Sequence, residues 1–374
     1  MLTRREMLKQ AITAACLAPA AGYMAVGEAL AGTVHHGFVS AYADQEGAMK
    51  LALIEPDGTV ARDWALPARG HAIMRRPKSH HVAAFARRPG RFLLVVDFTT
   101  GAEVARLSSP PDRHFYGHGT YSPDGRFLYT TENDYIDERG VIGVWDAIEG
   151  YRRIGELSAH GLGPHELLFL PDGETLVVAV GGILTHPDEG RAKLNIPEMS
   201  PALVYMNARS GQLVSRHQLP QDLHKLSLRH LCVNAAGRVC FGLQNEGPKS
   251  EFPPLVGFHD GTGDLRLLEA PLEIWQGMKN YCGSVAYDQS GTVAGASSPR
   301  GSMISFWNIE TGRHLYAVTA RDGCGLAADT QAGRFIATCG TGEIMRIDVN
   351  RQMAITLRSP GNHDRRWDNH LLAL

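Results

Sequence analysis

Hydrophobic and polar positions along this chain fall into short apolar runs separated by turn residues. One arrangement, an apolar strand, a tight turn and a second strand, recurs seven times. It reads LALIEPDGTVARDWAL from Leu51, FLLVVDFTTGAEVARL from Phe92, VIGVWDAIEGYRRIGEL from Val141 and ALVYMNARSGQLVSRHQL from Ala202. It continues as PLVGFHDGTGDLRLLEA from Pro254, MISFWNIETGRHLYAV from Met303 and IMRIDVNRQMAITL from Ile344. In the first six copies a glycine closes the turn: Gly58, Gly101, Gly150, Gly211, Gly263 and Gly312. A repeat of roughly 50 residues built from short strands predicts propeller blades, each too small to bury its own apolar face. The fold class expected is therefore all-β: a seven-bladed β-propeller with four-stranded antiparallel blades.

Further hairpins lie ahead of these. They turn at Ser122-Pro123-Asp124-Gly125, Leu170-Pro171-Asp172-Gly173, Asn234-Ala235-Ala236-Gly237, Asp288-Gln289-Ser290-Gly291 and Thr330-Gln331-Ala332-Gly333. Proline presets φ, aspartate caps its own backbone and glycine takes positive φ. Calling the strands a to d from the channel outward, these are the a–b hairpins and the seven copies are c–d. The first copy has no such inner hairpin before it. The chain ends in Trp367-Asp368-Asn369-His370-Leu371-Leu372-Ala373-Leu374, which resembles an inner strand. Those last residues are expected to complete the first blade and close the ring, removing its open edges. Loops between strands b and c are expected at residues 130–140, 181–200, 244–253 and 297–302, on one rim of the ring.

Residues 1–31 read as an export signal. Arg4-Arg5 lies in a twin-arginine-like stretch, an Ala-rich apolar segment follows, and Ala29-Leu30-Ala31 fits a small-x-small cleavage site. The mature chain, 32–374, is then one propeller domain exported folded to the periplasm, with no transmembrane segment and no requirement for a second copy. The formal net charge of −2 calls for no basic face, so nucleic acid is not an expected partner. Six cysteines, five after cleavage, are scattered and odd in number, unlike a disulfide framework.

The chain holds 17 histidines, and several recur at one place in the repeat. His71, His118 and His165 are each 47 residues apart, and His230 and His370 stand in matching contexts. Blade symmetry brings such positions together at the channel mouth. Neutral imidazole ligates iron, copper and, less favoured here, zinc, so His118, His165, His230, His370 and His71 are candidate metal ligands. Glu166, which follows His165 directly, is a further candidate, as a carboxylate metal ligand or as an acceptor for an imidazole N–H. Alternation sends neighbours to opposite faces, so either one faces the axis unless a bulge intervenes. The competing reading for any one of these histidines is a hydrogen bond that orders neighbouring loops. Further rim candidates are Glu132, Asn133, Asp134, His160, His186, Lys193 and Arg300, with Arg191 beside them. No Ser-His-Asp order, phosphate loop or haem-attachment motif appears, and the chain does not declare itself an enzyme.

GHGTYSPDGRFLYTTENDY, RRIGELSAHGLGPHELLFLPDGETLVVAVGGILTHPDEGRAKLN, LRHLCVN, YCGSVAYD and WDNHLLAL resemble a bacterial family of twin-arginine-exported propellers. Its genes neighbour those of imelysin-type, iron-regulated periplasmic proteins and a di-haem oxidoreductase-like protein. The wider similarity is to quinoprotein-like and YVTN-type propellers, with no quinone site matched here. The resemblance implies a role in iron acquisition or handling. Imelysin-like or di-haem proteins are the implied partners, for which the rim would be a docking platform. A metal-dependent enzyme is the remaining alternative.

Overall fold

A computed structural model of the chain describes residues 37–357 and 361–374. The expected leader, residues 1–31, and His35 and His36 lie outside them. Twenty-eight strands pair into seven four-stranded antiparallel sheets. Six sheets are sequential. The seventh takes its inner strand, Arg366–Ala373, from the C-terminus and pairs it with Phe38–Ala43. Each inner strand packs on the next around the ring. The fold is the seven-bladed propeller expected, closed as expected.

Strand position explains the burial pattern. The b and c strands are covered on both faces by adjacent blades, so they are continuous apolar runs. Phe92–Asp97 and Thr175–Val180 are each buried over five consecutive residues. The d strands lie outermost and alternate, as Val60–Ala65 and Glu103–Ser108 do, because only one face is covered. Large side chains weld blade to blade: Phe306 and Phe335 meet at 4.9 Å between blades 6 and 7. At the closure, Trp367 packs at a tilt against Tyr42, ring centroids 5.2 Å apart, and donates its indole N–H to the Gly342 carbonyl of blade 7.

The turn chemistry follows the sequence closely. In the seventh c–d turn, where glycine is missing, Gln352 itself adopts φ 52°. Two of the expected rim loops are not loops. Residues 130–140 extend strands Phe127–Asp134 and Arg139–Asp146 of blade 3 around a tight turn. Residues 297–302 are the end of strand Val293–Ser298 followed by a short turn. Polar side chains there satisfy partners within the sheet, so polarity marked buried ion pairs instead of solvent-facing loop. No helix among the described residues is long and apolar enough to cross a membrane.

Candidate metal centre

The inner strands carry a shared irregularity. In six of the seven blades the a–b register shifts near the channel mouth: between Gly70 and Ile73, Phe115 and Gly119, Pro164 and Leu167, Leu228 and His230, and Gly323 and Leu326, and in blade 1 opposite Ser40 and Tyr42. A bulge re-aims side chains and leaves carbonyls without ladder partners. Hydroxyls on neighbouring strands take those carbonyls up. Ser40 donates to the His370 carbonyl at 2.7 Å, and Thr131 lies 3.1 and 3.2 Å from the carbonyls of His118 and His165. The bulges also place His118, His230 and His370 well inside their strands, Arg113–Tyr121, Leu226–Val233 and Arg366–Ala373, instead of at the starts.

The result is a knot of five imidazoles from five consecutive blades. Ring centroids are 4.5 Å apart for His71 and His370, 4.6 Å for His118 and His370, 4.7 Å for His118 and His165, and 4.8 Å for His165 and His230. One ring nitrogen from each of His71, His118 and His165 lies within 4.8 Å of the others, and the same holds for His118, His230 and His370. Four of the five are buried and His370 nearly so. Cys282 and Cys324, which blades 6 and 7 offer at the matching place, bond to the Ser284 and Asp322 carbonyls and join neither group.

Acceptors lie on the Nδ1 side of four of the rings. His71 Nδ1 lies 3.0 Å from Asp368 Oδ1, and His165 Nδ1 lies 3.1 Å from the Arg229 carbonyl. Glu166 sits between two rings, 3.5 Å from Nδ1 of both His118 and His230, and accepts the Leu231 N–H at 3.0 Å. The bulge at 164–167 thus turns both His165 and Glu166 inward. A ring whose Nδ1 proton is held by an acceptor presents Nε2 as its lone-pair nitrogen. The Nε2 atoms of His118 and His370 are buried and have no hydrogen-bond partner, and His230 Nδ1, 3.5 Å from Glu166, makes no full hydrogen bond either.

Burial keeps four of the donors in the ligating form. Burial pushes His71 down to about 3 and His230 down to about 4, against the opposing pull of Asp368 and Glu166. Burial also holds His165 and His370 well below the usual imidazole range. For Glu166 and Asp368 burial acts upward, but the facing histidines, and for Asp368 also Arg69 and Arg87, outweigh it and depress both carboxyls. At neutral pH the site therefore combines ionised Glu166 and Asp368 with neutral His71, His165, His230 and His370.

The rim candidates fall elsewhere. Glu132 is fully buried and meets Arg153 at 2.9 Å. Asp134 meets Arg113 at 3.0 Å and Arg139 at 2.9 Å, and the Asn133 amide donates to the Thr185 carbonyl at 3.0 Å. His160 Nε2 reaches the Gly211 carbonyl at 2.9 Å, and His186 Nδ1 caps the Asp188 amide at 3.2 Å. Lys193 is bonded to Glu246, and Arg300 lies over Tyr281 with its guanidinium 4.4 Å from the ring centroid. None of these joins the imidazole knot. Asp368 was not anticipated. Its place two residues before His370 was visible, but only the clasp brings it to His71.

A solved structure titled Kuenenia stuttgartiensis Hydrazine Synthase is similar in fold, with a TM-score of 0.61 at 14% identity, covering 91% of this chain and 99% of that one. At that identity the likeness speaks to the fold alone. No curated protein sequence matches the chain. A family model matches residues 64–374, a span that includes all five clustered histidines, Glu166 and Asp368. The chain accordingly belongs to the family described as "Protein of unknown function (DUF1513)".

Proposed function

We propose that this propeller is an exported metal-binding protein whose channel-mouth histidines hold a transition metal, iron or copper in preference to zinc, in the service of iron acquisition or handling. The observation that carries the reading is the convergence of five largely buried imidazoles, among which the Nε2 atoms of His118 and His370 have no partner. Unpaired buried nitrogens are costly, and a bound metal would satisfy them. An imidazole set backed by two carboxylates, Glu166 and Asp368, suits borderline first-row metals. His118 belongs to both triads and is the central ligand in this reading; Glu166 and Asp368 orient the rings. The Arg4-Arg5 leader supports export to the periplasm in the folded state, with the metal taken up before or after transport. The sequence resemblance to imelysin-neighbouring propellers supports iron as the metal handled.

The test is metal analysis of the protein purified from periplasm, followed by anaerobic rebinding of Fe(II), and of Cu and Zn, to the stripped protein. About one equivalent, lost in His118→Ala with unchanged circular dichroism, is expected. Clearly substoichiometric metal with no tight rebinding would remove this function.

A further inference from the structure

Beside the histidines lies a second group of side chains that the metal reading leaves unused. Arg87 and Arg88 follow strand His81–Ala86 of blade 2, Arg229 is the bulge residue before His230, and Tyr116 lies in the bulge before His118. Arg88 and Arg229 are near enough for the charge of Arg229 to lower the pKa of Arg88, and both work against burial on the Tyr116 phenol. All three arginines are half-buried, and burial lowers the pKa of each.

The nearby carboxylates are already engaged. Asp368 is shared by His71, Arg69 and Arg87, the last at 3.6 Å. Glu166 serves His118 and His230, and Glu246, the carboxylate that acts most on Arg229, is bonded to Lys193. Among the described residues no carboxylate lies within ion-pair distance of Arg88 or Arg229, and the Arg229 side chain donates only to Gln244 Oε1, at 3.3 Å. The Tyr116 hydroxyl, on a residue only 6% exposed, faces the Thr185 hydroxyl, but neither reaches a partner at normal hydrogen-bond distance. Half-buried cations of like sign beside an unpaired buried hydroxyl are unfavourable unless an anion joins them.

We propose that the channel mouth binds a small oxyanionic ligand, a carboxylate or a phosphate, between Arg88, Arg229 and the Tyr116 hydroxyl. The planar guanidinium presents paired N–H donors that match two oxygens of either group, and a phenol adds a third donor. The site stands on the arginines and Tyr116 and does not require the metal.

Calorimetric titration of the full-length, metal-stripped protein with succinate and with inorganic phosphate tests this. The two probes also distinguish the carboxylate and phosphate sources. Saturable binding of at least one is expected, weakened roughly tenfold or more in Arg88→Gln and Arg229→Gln. Tyr116→Phe, which keeps the packing, should weaken it by a smaller factor, while the exposed-site control Arg351→Gln leaves it unchanged. His118→Ala should keep anion binding while losing metal, so failure of the metal reading and failure of this one are separable. Absence of saturable binding of both probes up to about 10 mM, or binding unaffected by all three mouth substitutions, would overturn the proposal.

Discussion

Asp368 and His71 are 297 residues apart in the chain, yet Oδ1 of one lies 3.0 Å from Nδ1 of the other. The contact joins the closing strand of blade 1 to the inner strand of blade 2. Closure of the ring and assembly of the histidine knot are thus one event. Asp368 fixes the tautomer of His71 and directs its Nε2 toward the knot, as carboxylates behind metal-bound imidazoles do.

Asp368→Asn keeps the shape but removes the charge. We expect the protein to fold, with metal affinity reduced about 10- to 100-fold, measured by competition with a chelator. Unchanged affinity would show that the Asp368 contact does not tune the site.

The closing strand can be separated from its ligand. Deleting residues 367–374 exposes strand edges in blade 1 and removes the Trp367 contacts to Tyr42 and Gly342. We expect aggregation or loss of the cooperative melt. His370→Ala should retain near-native circular dichroism and lose metal retention. A soluble, monomeric deletion variant melting like the full chain would refute the clasp.

Acid should destabilise the metal-free protein before carboxylates titrate. His71 and His230 have folded values of about 3 and 4, against about 6.5 when unfolded. Below about pH 6.5 the unfolded chain binds protons that the folded chain refuses. Their contribution to stability is therefore present above that pH and lost as pH falls toward 4. Each group contributes a slope of at most about 1.4 kcal/mol per pH unit. Urea midpoints at pH 7 and pH 5 should differ accordingly, and His71→Asn should flatten the dependence. A wild-type midpoint that does not move over this range would contradict the buried neutral state.

Gly117 has φ 105°, and a Cβ there would stand 2.6 Å from Cδ2 of His71. Gly117→Ala should cost roughly 1–3 kcal/mol and displace the His71 ring, lowering metal affinity. Gly150, with φ 65° and nothing within 4 Å of its virtual Cβ, is the control. Gly150→Ala should cost about 1 kcal/mol and leave metal binding intact. Equal effects of the two on affinity would show that close approach to His71 is immaterial.

The periodic pattern of apolar strands and glycine turns was enough to determine seven blades, their four-strand composition and the closing strand. Those are local properties repeated along the chain: alternation, φ preferences and the need of each small sheet to be covered by its neighbours. The same periodicity pointed to His71, His118, His165, His230 and His370, because equal positions in equal blades meet around one axis. Side-chain direction was beyond it. The bulges that turn His165 and Glu166 to the same side are irregularities between paired strands, and no strand's own sequence records its partner's register. Pairing was hidden for the same reason: Glu132 and Asp134 read as exposed polar residues, but Arg153 and Arg113 reach them only in the folded sheet. Asp368 meets His71 only when the ring is closed. Charge compensation is decided by distance in space, and that distance is set by closure of the ring.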